Sequence, residues 1–443
     1  MERPRGFTLP WCCRSLSLLC LLLLCGFVSD NAIHPPPTCG TYAYDSYNPS
    51  VAGFPGVGGT FLDPVFGETV TRLTAISTSQ VGPSTIYNLN GRWNANNTAF
   101  IIDVLGTMLV LNPATGATIR SGVPYPSGTT GEQSFDPVNS DIYYYTDSTA
   151  TLKSYSLASG TSSNVKTFAS ALGPLGQSSD WIDRTGDIFL LNIGGSARIW
   201  KKSTDTLYTG SVTLPSDVIP PGAGWAGLTP DGNYVVFSHA TFSAYPKGSF
   251  AINHGTTTLS TTEVTFWDLG GSDHGDLVST SDGNNYLMTA QVNCTVGGNS
   301  RSLWRVNITN NVGGTGCATT TTATGNQLLI QVLSSNTAGN GDFACGATGK
   351  YQDWCYANIA DPSDTIGSNG TWYAYRQELF VVNMVTLEMR RIMHHRARPN
   401  AGYCRQVRPS ASWDGTKVMF TSPFSFPDSG GCGYSDVYRY DAP

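Results

Sequence analysis

Charge is scarce in this 443-residue chain: only 13% of it is Asp, Glu, Lys or Arg, and the balance is acidic, with a formal net charge of −6. A chain so poor in cations lacks the broad basic face that nucleic-acid binding needs, so no nucleic-acid partner is expected. Helical periodicity is missing as well, since no stretch sustains apolar residues at three- and four-residue spacing and no heptad pattern persists. Past residue 29 no apolar run is long enough to cross a bilayer as a helix, so no membrane span is expected. Nucleophile-elbow, phosphate-loop and kinase signatures are absent, and the scattered Gly-X-Gly triplets are turn chemistry. The eleven cysteines match no zinc-ligand spacing.

What is abundant is Gly, Ser, Thr, Asn and aromatic residues, a mix that favours many short strands joined by turns. At the front, Arg3, Arg5 and Arg14 accompany the apolar run Leu16 to Leu24, the composition of a secretory signal, so residues 1–29 are expected to be a signal peptide and the mature protein to be exported, outside the cell or in a periplasm. Seven cysteines follow that segment, Cys39, Cys294, Cys317, Cys345, Cys355, Cys404 and Cys432, and in an exported protein they are disulfide candidates. Cys345 and Cys355 flank one predicted hairpin, Cys294 and Cys317 bracket one strand, and Cys404 and Cys432 share the final unit. Asn96, Asn293, Asn307 and Asn369 open Asn-X-Ser/Thr sequons.

Residues 30–68, opening on Pro35-Pro36-Pro37, read as an irregular arm. From there one unit recurs: a strand, a tight turn and a second strand. Its clearest copy runs from Arg405 to Ser422, where Asp414-Gly415 supplies a two-residue hairpin turn and Lys417 to Phe420 alternates polar and apolar side chains. Other copies start at Gly91-Arg92-Trp93, Gln133-Ser134-Phe135, Asp180-Trp181, Gly224-Trp225, His274-Gly275-Asp276 and Asp342-Phe343. Seven copies at intervals of roughly 40 to 65 residues point to propeller blades. Each continues into a third strand, among them Leu152 to Ser156, Val264 to Trp267 and Leu379 to Val382. In the last unit Asp436 to Tyr440 is that third strand, and Thr69 to Thr74 is a spare strand of the right character to pair onto it. The fold expected over residues 69–443 is therefore all-β, a seven-bladed β-propeller closed by an N-terminal strand on the last blade.

Pro409 to Gly415 followed by Val418 to Ser422 resembles the TolB-type propeller repeat. Among such propellers the last unit is similar to the oligogalacturonate lyase family, whose members cleave acidic pectin fragments by β-elimination with a metal at the mouth. That family carries a His-Pro-His-Pro run before this inner strand; here Gln406-Val407-Arg408-Pro409 fills it, so Gln406 and Arg408 stand at the two histidine positions. The resemblance implies a divalent metal, while the residues assign no metal ligand and predict no other cofactor.

Loops leading into the inner strands, and those joining second to third strands, gather on one face of a propeller and form its default ligand site. There His274 is the candidate general base for removing the proton beside a uronate carboxylate, Arg405 or Arg408 would neutralise the developing enolate, and Tyr403 would protonate the leaving oxygen. Arg92, Trp93, Trp181, Trp225, His239 and Gln406 are candidate substrate contacts, the aromatic rings by stacking. The stretch from Arg390 to Arg408 holds six arginines, with His394 and His395, and no carboxylate, which suits an acidic glycan. Alternating geometry forbids His394 and His395 from facing the same way. Two alternatives stay open: a non-catalytic glycan- or protein-binding scaffold, with His274 fixed by Asp273 or Asp276 as a tie between blades, and a metalloenzyme using His239, His254 and His274.

Overall fold

The turn after Ser410–Ala411 shows the local device from which the sheets are built. Asp414 Oδ1 accepts hydrogen bonds from Ser412 Oγ at 2.7 Å, the Thr416 amide at 3.0 Å and Thr416 Oγ1 at 2.8 Å. Gly415 adopts φ +67°, and its amide donates to the Ser412 carbonyl at 2.8 Å. A side chain there would put Cβ 2.6 Å from Cβ of Tyr351, so backbone and neighbour both demand glycine. The amide of Asn97, Gly186, Gly232 and Gly283 makes the same bond to the carbonyl three residues back, each at positive φ. Only one residue per turn is left-handed, whereas the two-residue turn expected at Asp414-Gly415 needs two. The connection is accordingly longer, with Ser412 and Lys417 bonded across its base.

The computed structural model describes residues 42–43, 55–63, 66–75, 91–104, 107–124, 131–176, 180–218, 224–239, 247–267, 274–291, 302–312, 323–331, 341–359, 371–372, 375, 378–395, 407–422 and 436–442. Seven of the antiparallel sheets they form are the blades of a propeller, and Tyr42–Ala43 pairs with Thr371–Trp372 in a separate two-stranded sheet. Blade 1 holds Phe100–Val104, Thr107–Leu111 and Thr118–Ser121, with Trp93 bridging to Phe100 on the inside. Blade 2 runs Gln133–Phe135, Ile142–Tyr145, Thr151–Ser156 and Thr161–Thr167, and blade 3 is centred on Ile188–Ile193 and Ser196–Lys201. Blade 4 contains Trp225–Leu228, Tyr234–Ser238, Lys247–Asn253 and Val264–Trp267. Blade 5 contains Gly275–Ser279, Asn285–Gln291, Ser302–Asn307 and Gln327–Gln331. Blade 6 contains Gly341–Cys345, Trp354–Ile359, Glu378–Asn383 and Met389–His394.

Blade 7 joins the two ends of the chain. Its order is Ser410–Ala411, Lys417–Ser422, Asp436–Asp441, then Thr69–Arg72 and Thr60–Leu62 from the front. Val70 registers with Tyr440 and Arg72 with Tyr438, as the spare-strand argument expects. A buried ion pair locks the seam: Arg72 Nη2 lies 2.7 Å from Asp436 Oδ2, Thr74 Oγ1 donates to Asp436 Oδ1 at 2.8 Å, and the Val437 amide donates to Thr74 Oγ1 at 3.0 Å. The arm is less irregular than expected, because residues 60–62 find free backbone groups on Thr69–Arg72 and extend the sheet by one more strand.

Apolar side chains fill the spaces between blades. Val70, Tyr440 and Val418 pack against Tyr356 and Leu379 between blades 6 and 7, and Leu73, Trp93, Trp413 and Met419 fill the seam between blades 7 and 1. Two tryptophans stitch that seam reciprocally: Trp93 Nε1 donates to the Ser410 carbonyl at 3.0 Å, and Trp413 Nε1 to the Trp93 carbonyl at 2.9 Å. One expectation is corrected in blade 4, where Val264–Trp267 is the fourth strand. The third is Lys247–Asn253, which the sequence reading placed inside a long loop; Phe250 and Ile252 are buried while Ala251 and Asn253 are exposed.

Cys345 and Cys355 occupy directly opposed positions on the first two strands of blade 6 and form the disulfide that their flanking positions suggest. The other five cysteines after residue 29 lie outside the described residues. With a sequence separation of 10, loop-closure entropy predicts that replacing both cysteines by Ala lowers unfolding free energy by about 2–3 kcal/mol. Urea titration of the non-reduced proteins checks this, and an unchanged midpoint contradicts it.

Candidate ligand site at the channel mouth

The inner strands of blades 5, 6 and 7 bring together residues far apart in sequence. His274 and Asp276, two positions apart, sit on the same side of their strand. His274 Nδ1 lies 3.0 Å from Asp342 Oδ1 of blade 6, and Asp276 accepts the Cys345 amide at 2.6 Å and its neighbour Leu277's at 2.9 Å. Thr289 Oγ1 donates to the His274 carbonyl at 2.8 Å, pinning the backbone beneath the imidazole. The partner of His274 is therefore Asp342 across the blade boundary, not Asp276; Asp273 lies outside the described residues.

Asp342 is the electrostatic hub. Burial works to raise its carboxyl, but the hydrogen bond and charge of His274, the charge of Arg408 and the Arg408 backbone amide outweigh it and hold the group below the usual carboxylate range. Asp276 behaves oppositely: burial, then the negative charge of Asp180, push it well above that range against its two amide donors. The mouth thus sets a carboxyl whose ionised form is favoured beside His274 and one whose ionised form is disfavoured two residues on. Asp180 in turn accepts the Gly91 amide at 3.1 Å, tying blade 3 to blade 1. At the other end Arg184 Nη1 of blade 3 reaches across to the Ala347 carbonyl of blade 6 at 3.4 Å.

His394 and His395 point in opposite directions, as strand geometry requires. The His394 amide donates to Asp63 Oδ2 at 3.1 Å and its ring packs edge-on against Phe66 at 4.9 Å. His395 lies on the Asp342 side, where burial pushes its imidazole down to about 3 and the Asp342 charge only partly opposes this. Unfolded, that histidine takes up a proton near pH 6.5. A lowered histidine pKa means the unfolded state binds more protons between those values, so stability falls as pH drops from about 6.5 toward 3, by up to about 4–5 kcal/mol. The depressed Asp342 acts in the same direction at lower pH, and the raised Asp276 opposes. We expect denaturant midpoints to fall from pH 7 to pH 4 and His395→Leu to flatten that slope; an identical slope in the variant contradicts the assignment.

The remaining expected site residues divide sharply. Trp93, Trp181 and Trp225 are fully buried, so their rings are unavailable for stacking on a sugar; they pack between blades because the inner strands leave no gap that a smaller residue would fill. His239 stands at the mouth side of blade 4 with Nδ1 3.2 Å from Asp217. His254 lies at the opposite end, bonded to Tyr208 Oη at 3.0 Å and the Gly232 carbonyl at 3.1 Å, which removes it from any mouth cluster. Tyr403, Arg405 and Gln406 lie outside the described residues, as do Arg396 and Arg398. Of the arginine-rich stretch, Arg391 is fully buried in a two-pronged pair with Glu378, and Arg390 pairs with Glu388 at 2.7 Å over the Trp354 ring, so both serve blade 6 rather than the mouth. Arg408 does reach the mouth, at φ +40°, and with Arg92 lines a small cleft between blades 7 and 1.

Sequence reasoning missed Lys247. It is buried at the start of the third strand of blade 4, donates to Ser238 Oγ and lies 5.9 Å from the Trp225 ring centre. Recognising Lys247-Gly248-Ser249-Phe250-Ala251-Ile252 as alternating would have found it.

No protein-family model matches the chain, and no curated protein matches it. Solved structures do. An oligogalacturonate lyase from Vibrio parahaemolyticus aligns with a TM-score of 0.49 at 13% identity, over 87% of this chain and 96% of that one. An oligogalacturonate lyase in complex with manganese aligns at 0.50 and 14% identity, over 87% and 96%. At such identity the second likeness establishes the fold and no more. It raises the question of whether this mouth suits a cation. Among the described residues no three His, Cys, Asp or Glu side chains converge, and Arg408, at one of the two histidine positions of the resemblance, is a pure donor that cannot ligate a metal. The described residues do not fit a metal centre.

Proposed function

We propose that this is an exported propeller that binds an acidic oligosaccharide at its mouth and cleaves it by β-elimination. The observation that carries the reading is the buried His274–Asp342 pair with Arg408 beside it. A carboxylate 3.0 Å from Nδ1 favours a proton on that nitrogen and leaves Nε2 as the basic one. Nε2 would take the proton on the carbon next to a uronate carboxylate; the electron pair would form the ring double bond as the glycosidic oxygen departs with a proton. Arg408 would balance the negative charge that builds on the carboxylate. An oligogalacturonate substrate is suggested by the neighbours named above.

The same His274–Asp342 contact ties blade 5 to blade 6, which suits a binder without turnover. Incubation with polygalacturonate and other acidic polysaccharides separates the two readings. Elimination predicts rising absorbance near 235 nm from an unsaturated uronide; retention of the glycan with no such product on any substrate leaves the binder.

A further inference from the structure

We infer that Asn96 is an acceptor for an N-linked glycan, and that Asn307, which opens a sequon of the same form, is not. The inference rests on the reading of the chain as exported, since the sugar is added along that route. By motif the two are equal: Asn96-Asn97-Thr98 and Asn307-Ile308-Thr309 both end in threonine. The sequons at Asn293 and Asn369 lie outside the described residues.

Geometry separates the two. Asn96 stands on the turn between Trp93, the inner bridge of blade 1, and strand Phe100–Val104, and both Asn96 and Thr98 are exposed there. Thr98 Oγ1 donates to Asn96 Oδ1 at 2.6 Å. Buried Asn94 holds Thr98 in place, its Oδ1 accepting the Thr98 amide at 2.9 Å and its Nδ2 donating to Thr98 Oγ1 at 3.1 Å. Asn97 Nδ2 ties the same turn to blade 7 through Asp414 Oδ2 at 2.8 Å, so the tip is fixed. With its oxygen turned toward Thr98, the Asn96 amide leaves Nδ2, the atom that takes the sugar, on an exposed residue. Turns between first and second strands lie at the end of the blades opposite the loops that enter the inner strands, so a glycan on Asn96 stands away from the mouth.

Asn307 ends the third strand of blade 5 and is half-buried. Its Oδ1 also accepts from its threonine, from the Thr309 amide at 2.9 Å and from Oγ1 at 2.8 Å. Its nitrogen is placed differently: a Cβ built on Gly325 would stand 3.1 Å from both Cβ and Nδ2 of Asn307, so Nδ2 faces the backbone of the returning chain. The Asn307 backbone amide is held as well, by Asn326 Oδ1 at 2.9 Å. A sugar is bulky, and one on this nitrogen would have to displace Gly325.

The donor class is a lipid-linked pyrophosphate oligosaccharide, which the export compartment supplies with its transferase. Asn96 Nδ2 would bond to the anomeric carbon as that carbon's bond to the pyrophosphate oxygen breaks. The lipid pyrophosphate leaves with the electron pair and takes up the proton that Nδ2 sheds.

The test is intact-mass spectrometry of the full-length chain secreted by a eukaryotic host, before and after enzymatic deglycosylation without denaturant. We expect Asn96→Gln to be lighter than the parent by one glycan and Asn307→Gln to keep the parent's glycan number. An Asn96→Gln protein with as many glycans as the parent overturns the inference, and so does loss of one glycan in Asn307→Gln. Parent protein that reaches the medium without any glycan overturns it too, while leaving export standing. A chain that stays in the cytosol overturns both.

Discussion

Asp436→Ala is expected to lower the unfolding free energy by about 3–5 kcal/mol, because it leaves the Arg72 guanidinium buried at the seam without its carboxylate. Among the described residues, two contacts from Arg72 and one from Thr74 end on that side chain. Losing them loosens the strand Thr69–Arg72 that pairs the front of the chain with blade 7, and an unpaired edge is itself prone to association. The double replacement Arg72→Met with Asp436→Leu should recover most of the loss, since swapping a buried ion pair for apolar groups of similar volume is often neutral. Guanidinium titration of the three proteins measures this. A loss under about 1 kcal/mol for Asp436→Ala means the seam is not where stability resides.

His274→Gln is expected to lower kcat on the elimination substrate by 10²- to 10⁴-fold, the usual contribution of a positioned general base, with KM little changed. Asp342→Asn should lower kcat too, by removing the carboxylate that orients the imidazole, and it should also shift KM because it removes the negative charge beside Arg408. The split between kcat and KM therefore distinguishes the base from the residue that positions it. Full turnover in His274→Gln would remove His274 from the chemistry and favour its role as a tie between blades.

The blades were legible in the sequence because their causes are local. Asp414-Gly415, Asp231-Gly232 and Asp282-Gly283 announce turns through the left-handed glycine each one needs, and alternating side chains on either side mark the strands. Even the closing strand could be read, since a last blade short of one strand needs a partner and Thr69 to Thr74 has the pattern. The site was less legible, for its causes are not local. The partner of His274 is Asp342, 68 positions later and on the next blade, and nothing near His274 in the chain points to it. Trp93, Trp181 and Trp225 looked like ligand platforms because they stand where inner strands begin, but a close-packed seam between twisted sheets has as much use for a large ring as a sugar does. Arg391 misled in the same way: it lies in a basic run, yet its charge is spent on Glu378, thirteen residues before it on the adjacent strand.

Every assignment at the mouth depends on the ring being closed by the front of the chain. Hydrogen exchange of the intact protein, read by mass spectrometry, addresses this directly. The Leu73 amide donates to the Val437 carbonyl at 2.8 Å and strand Thr69–Arg72 pairs along Asp436–Asp441, so peptides covering 69–74 and 436–441 should be protected to the same degree and lose protection together in Asp436→Ala. Exchange of 69–74 within seconds while 436–441 stays protected would show that the front strand does not lie against the last blade.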